Sequence, residues 1–201
     1  FPSPIINRSI GNKFRIMKPL NQRQTLVGYV GRMSKEKGVL NFAKAVPSIC
    51  EQMSDARFLL IGDGPLFPQS KNELANFISE GRVKLCGWIP QSEIPLYLNK
   101  MKLLVLPSYY EGSPNIVLEA MACGTPVLST SVGSVPDIIK DGETGFIMRD
   151  NSPQCIAQNV ARALNHSNLE QISLNAHSLV RSEYSYEVLR ERYSRLFASQ
   201  E

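Results

Sequence analysis

From Thr25 onward the chain alternates short apolar runs with longer stretches in which apolar residues recur at helical spacing. The short runs are TLVGYV (25–30), ARFLLI (56–61), RVKLC (82–86), KLLVL (102–106), PVLST (126–130) and GFIM (145–148). They are nearly continuous in apolar residues instead of alternating, as expected of strands covered by helices on both sheet faces. Six such strands separated by helices predict an α/β fold, a doubly wound, mostly parallel Rossmann-like sheet. After residue 150 the strand pattern stops, and 153–165, 168–182 and 185–198 read as three helices. Ile156, Val160 and Ala163 mark one apolar face, and Leu189, Tyr193 and Leu196 another. Residues 1–24 carry Pro2, Pro4 and Pro19 and no sustained period, so they are expected to be a lead-in or linker before a single domain at 25–198.

Composition narrows the function classes. With 201 residues, 43% hydrophobic and 20% charged, the chain can bury its own core without disulfide or metal staples. No run approaches a membrane span and no signal-peptide layout opens the chain. It starts on Phe1 and not Met, so it is expected to be cut from a longer protein. Cys50, Cys86, Cys123 and Cys155 form no Cys-x-x-Cys pair, and His166 and His177 are the only histidines, which removes zinc and redox motifs. Each cysteine sits in an apolar run, so buried, reduced thiols and a cytoplasmic setting are expected. The net charge of +4 is scattered except near Arg181, Arg190, Arg192 and Arg195. That balance argues against nucleic acid and for a small anionic ligand.

In doubly wound sheets ligands bind beyond the carboxyl ends of the strands, so the informative loops are 31–38, 62–65, 87–91, 107–114 and 130–136. In GRMSKEKG (31–38), Arg32 and Lys37 can converge on one anion, or both can be solvated loop charges. In PSYYEGSPNIVLEAMACGTPV (107–127), Ser113 suits an N-cap and Pro114 the first helical position, which would aim free amides at the cleft. The helix from Ile116 to Ala122 is apolar almost all round and should be buried, with Glu119 as its only charge. A buried carboxylate must bind hydroxyl donors in the cleft or pair with a cation. Glu111, beside Gly112, is either solvated or turned to the same cleft.

Other loops are weaker signals. GDGP, from Gly62, fails as a dinucleotide fingerprint because Phe67 replaces the third glycine, which disfavours an NAD enzyme, and no phosphate-binding P-loop occurs. Asp63 reads as a turn residue. GSVPD (133–137) offers amides before a short helix, with Asp137 either a first-turn acid or a contact. Trp88, the sole tryptophan, can flank a flat base or serve in packing.

Five ordered motifs, GRMSKEKG, FLLIGDGPL, VKLCGWIP, LPSYYEGSPNIVLEAMACGTPVLST and GSVPDIIKDGETGF, resemble the C-terminal, donor nucleotide-binding half of retaining family 4 glycosyltransferases of GT-B fold. The resemblance covers about residues 25–198. It implies a nucleotide-sugar substrate of UDP or GDP type, no required cofactor, and hexosyl transfer to an acceptor hydroxyl with retention, as in polysaccharide biosynthesis. By the same resemblance Arg32 and Lys37 grip the donor diphosphate and Glu111 lies against the donor sugar. Glu119 binds the ribose hydroxyls, the stretch Gly112, Ser113, Pro114 and Asn115 faces phosphate or sugar oxygens, and Gly62, Trp88 and Ile89 line the nucleotide and its base. Gly133-Ser134-Val135-Pro136-Asp137 departs from the family's usual Gly-Gly-x-Pro-Glu. No Asp-x-Asp motif occurs, in keeping with metal-free leaving-group stabilisation, and no segment matches the N-terminal acceptor domain. The expectation is an isolated donor-binding domain with little turnover alone, whose partner is that missing half. The alternative is a non-catalytic nucleotide-binding or interaction module of the same fold. The basic C-terminal helix is a candidate for peripheral contact with an anionic membrane, an ordinary solvated face being the plainer reading.

Overall fold

The computed structural model of the chain describes residues 19–185 and, beyond them, 187, 188, 190, 191 and 194. Six strands, β1 (Leu26–Val30), β2 (Arg57–Ile61), β3 (Val83–Leu85), β4 (Leu103–Leu106), β5 (Val127–Thr130) and β6 (Phe146–Met148), form one sheet in the order β3-β2-β1-β4-β5-β6. Every pairing is parallel. The apolar runs read from the sequence are these six strands. The chain winds outward from β1 to β3, then returns to β4 beside β1, so the loops after β1 and β4 border the crevice where the strand order reverses.

Alternate residues of the strands feed two separate cores. Val27, Tyr29, Leu103 and Val105 pack with Phe42, Val46 and Ile49 of α1 (Val39–Gln52) and with Ile156 and Val160 of α7 (Pro153–Leu164). Val30, Leu104 and Leu106 face the other way, toward Val117 and Met121 of α5 (Asn115–Ala122) and Ala176 and Val180 of α8 (Leu169–Glu183). Shorter helices complete the layers: α2 (Phe67–Glu73), α3 (Ala75–Ser79), α4 (Ile94–Leu98) and α6 (Val135–Ile138). The helices predicted at 153–165 and 168–182 are α7 and α8, and the Ser152 hydroxyl caps α7 by accepting from the Cys155 amide at 3.3 Å. The apolar face predicted on Leu189, Tyr193 and Leu196, with Arg192 and Arg195, lies outside the described residues, as do residues 1–18 of the expected lead-in. Cys50, Cys123 and Cys155 are buried free thiols, but Cys86 is only half-buried because it follows the edge strand β3.

Residues 19–24 are packed against the sheet. Leu20 is buried in the first core, and Arg23, itself buried, donates to the carbonyls of Met101 (2.8 Å) and Cys123 (3.2 Å) and to the Thr125 hydroxyl (2.9 Å). These acceptors precede β4 and β5, at the pole of the sheet opposite the crevice.

Candidate functional site

The rim of the crevice is built by main chain lying on main chain. The amide of Gly62 donates to the Gly87 carbonyl (2.8 Å), Met33 to Asp63 (2.9 Å), Tyr109 to Glu36 (2.8 Å) and Ser134 to Gly112 (3.0 Å). Two of the glycines leave no alternative residue. A Cβ on Gly62 would stand 1.9 Å from the Gly31 carbonyl oxygen, and one on Gly133 would stand 2.3 Å from that of Glu111, both at positive φ. Gly133→Ala is therefore expected to destabilise the chain by about 1–3 kcal/mol, read as a drop in Tm, because neither the conformation nor the space suits a side chain.

Two clusters occupy this rim. In the first, the Lys37 ammonium lies 2.8 Å from one oxygen of Glu111, whose other oxygen accepts from the Ser108 hydroxyl at 2.7 Å. The Lys37 side chain is 29% exposed and that of Glu111 only 7%, so the pair is anchored in protein with the ammonium at its open end. The loop is braced from below, since Thr130 donates to the Ser108 carbonyl (2.6 Å) and Asn151 to that of Pro107 (2.9 Å). Arg32 is exposed, and its charge together with that of Lys37 helps hold the Glu36 carboxyl below its ordinary range, after the larger effect of the Ser34 hydroxyl bond. The structure thus brings Lys37 and Glu111 into contact and leaves Arg32 open to solvent, with no ion pair among the described residues.

The second cluster centres on α5. Its N-cap is Pro114, not Ser113, and Asn115 is its first residue, one position later than the sequence predicts. Pro114 has extended backbone, ψ 95°, so it closes the loop and does not open the helix, and no side chain caps the first turn. The amides of Gly112 and Ser113 donate to no group among the described residues, and both residues are exposed. Nor is the helix buried all round. Val117, Ala120 and Met121 turn onto the sheet, whereas Asn115, Ile116, Leu118 and Ala122 are only half-buried, because one flank borders the crevice.

Glu119 lies on that half-open flank and has no cationic partner among the described residues. One carboxylate oxygen accepts from the side-chain amide of Gln91 at 2.7 Å, while the other is buried without a partner. Burial pushes this carboxyl above its ordinary pKa, against the opposing pull of the Gln91 bond. A carboxyl whose folded pKa is raised binds more protons in the native state, so the penalty is full above that pKa and fades as the pH falls through it. Glu119→Gln is accordingly expected to raise Tm at neutral pH and to narrow its advantage toward acid, measured by thermal unfolding across pH. A residue that destabilises its own fold in this way is characteristic of a binding position.

The remaining candidates line the same end of the sheet. Trp88, after β3, is 73% exposed and so does not pack within the described residues, while Ile89 beside it packs half-buried on the second core. Asp63 is a turn residue, its carboxylate accepting from the Gly64 amide at 2.7 Å. Asp137 stands exposed in the first turn of α6. Gln91 and Ser108 are partners of the two carboxylates that the sequence did not single out. Among the described residues no group of three or more His, Cys, Asp or Glu side chains is placed to hold a metal ion, and no helix is long and apolar enough to cross a membrane.

Comparisons with known proteins agree with this architecture. A family model described as Glycosyl transferases group 1 matches residues 24–166. The chain is 32% identical over 161 residues to an alpha-D-kanosaminyltransferase of Streptomyces kanamyceticus, covering 80% of this chain and 42% of that protein. It is 33% identical over 148 residues to the Bacillus subtilis putative teichuronic acid biosynthesis glycosyltransferase TuaC, covering 74% and 34%. The chain thus spans less than half the length of these curated relatives. Among solved structures, HepE from Anabaena in complex with UDP and glucose shares the fold at TM-score 0.78 and 21% identity, covering 88% of this chain and 49% of that one. The isolated C-terminal domain of the group 1 glycosyl transferase LpcC from Francisella tularensis superposes at TM-score 0.73 and 27% identity, covering 86% and 98%. With the sheet order, the paired loops and the match over most of its length, the chain belongs to the glycosyl transferases group 1 family and has the fold of a GT-B C-terminal domain.

Proposed function

We propose that this chain is the donor-binding part of a retaining glycosyltransferase, which moves a hexosyl unit from a nucleoside diphosphate sugar to an acceptor hydroxyl supplied with the other half of the enzyme. The observation that carries the reading is Glu119: a carboxylate on the crevice flank of α5, unpaired by any cation among the described residues, with one oxygen held only by Gln91 and the other buried without a donor. Ribose hydroxyls would add donors to the oxygen that Gln91 engages, and the exposed ring of Trp88 stands at the same strand ends to flank a base. The diphosphate then lies over the 112–115 turn toward Arg32 and Lys37, with the sugar against Glu111. Support for a nucleotide ligand comes from HepE, a protein of the same fold solved with UDP.

The chemistry follows from where charge develops. As the bond between the anomeric carbon and the phosphate oxygen breaks, its electron pair passes to the diphosphate, and the growing negative charge meets Arg32, Lys37 and the open amides of Gly112 and Ser113. One preorganised donor of this kind is typically worth about 3 kcal/mol of barrier. The Glu111 carboxylate keeps Lys37 in place before the donor arrives, so the ammonium does not have to be ordered during the reaction.

Isothermal titration of the chain with UDP, GDP, ADP and NAD tests the reading. One ribonucleoside diphosphate should bind and NAD should not, and Glu119→Gln should weaken that binding by about tenfold, the loss of a charge-assisted hydrogen bond. Equal affinity of wild type and Glu119→Gln would remove the ribose site.

A further inference from the structure

Gln91 stands in a revealing position. It lies on the exposed loop after β3, three residues beyond Trp88, yet its side-chain amide reaches 28 positions along the chain to donate to Glu119 at 2.7 Å. That is the only hydrogen bond the Glu119 carboxylate makes among the described residues, and it engages one oxygen while the other stays buried and without a donor. A carboxylate can accept about four hydrogen bonds, so the Gln91 amide fills one direction on the first oxygen and leaves that oxygen's other lone pair unused, while the second oxygen is enclosed by protein. An exposed glutamine side chain has several rotamers open to it, and holding this one in place requires a partner worth the lost freedom. A neutral donor suits the role: a lysine or arginine here would neutralise Glu119 and take both oxygens, leaving nothing to recognise a diol.

We propose that Gln91 is the positioning residue for recognition of the ribose: by donating to one oxygen of Glu119 it fixes the carboxylate so that the remaining lone pair of that same oxygen meets the sugar hydroxyls, the other oxygen being enclosed by protein, and it thereby sets the preference for ribonucleotides over nucleotides lacking those hydroxyls. This rests on the donor-binding reading above, because the hydroxyls are those of the donor's nucleotide. It also couples two loops, since the segment that carries Trp88 toward the base is the one that orients the ribose carboxylate.

The test compares the best-binding member of UDP, GDP and ADP with its 2′,3′-dideoxy analogue, titrated calorimetrically into wild type, Gln91→Leu and Gln91→Glu. Wild type should prefer the ribonucleotide by about tenfold or more, the loss expected when a charged acceptor gives up its hydroxyl partner. Gln91→Leu removes the donor and leaves an apolar side chain one atom shorter, and Gln91→Glu keeps the shape but turns an oxygen toward Glu119. Both should reduce the preference to about threefold or less, chiefly by weakening the ribonucleotide. Gln91→Leu leaves Glu119 without its donor and Gln91→Glu sets two carboxylates against each other, so both variants should unfold at a lower temperature than wild type and are titrated well below their own transitions. A general loosening of the loop would weaken both ligands alike, so an unchanged ratio in both variants overturns the inference even if affinity falls. Wild type that binds the ribonucleotide and its dideoxy analogue equally, or binds none of the three, overturns the ribose reading and this inference with it.

Discussion

Alanine at both Arg32 and Lys37 should lower the affinity of the chain for its ribonucleoside diphosphate by at least about 100-fold, since each charge-assisted contact to phosphate is worth roughly 1.5–3 kcal/mol. Lys37 contributes in two ways. It offers an ammonium to the phosphates, and it neutralises Glu111, whose side chain is 7% exposed. With Lys37 gone, Glu111 keeps its bond from Ser108 but faces the incoming anion as a bare negative charge. The single Lys37→Ala variant should therefore lose more than Arg32→Ala. Lys35→Ala, an exposed cation in the same turn, serves as the control and should change little. Calorimetric titration measures all four, and a double variant within threefold of wild type would sink the assignment of a diphosphate to this end of the loop.

Replacing Arg23 by Leu is expected to destabilise the chain by about 3–5 kcal/mol, the usual loss when one member of a buried polar network is removed. Arg23 is buried with desolvation lowering its pKa, and it donates to two carbonyls and a hydroxyl contributed by the entries to β4 and β5. Leucine fills much of the volume but leaves the carbonyls of Met101 and Cys123 without that donor. Urea unfolding followed by circular dichroism reads the effect, and nucleotide affinity measured well below the transition should be nearly unchanged because the crevice is at the other pole. A loss under about 1 kcal/mol would mean that water replaces the guanidinium.

The sheet was legible because each strand is a nearly continuous apolar run, with Lys84 of the edge strand β3 as the charged interruption, a signal that survives without knowledge of neighbours. Glu119 stood out as the only charge of an apolar helix, whereas Lys37 and Glu111 were ordinary loop charges by themselves and were joined to it only through the resemblance of the ordered motifs. What the sequence withheld is set by partners remote along the chain. Gln91 becomes informative only when Glu119, 28 residues away, is seen beside it. Arg23 sits in a proline-containing stretch with no period, and its acceptors lie 78 to 102 residues later. The start of α5 was misplaced by one residue because Pro114 fits either side of a helix boundary, and only its backbone angles decide. The half-open flank of that helix was hidden because Ile116 and Leu118 look like core residues until the crevice beside them is known.

The glycine contacts of the rim have a consequence for how such a site can diversify. Gly62 rests on Gly31 and Gly133 on Glu111 through main-chain atoms, so the outline of the mouth is drawn without any side chain. Trp88, Tyr110 and Ser113 project from that outline and are exposed. On the donor-binding proposal, exchanging them would retune selectivity while the main-chain frame keeps its shape, which separates the evolution of selectivity from the evolution of the fold.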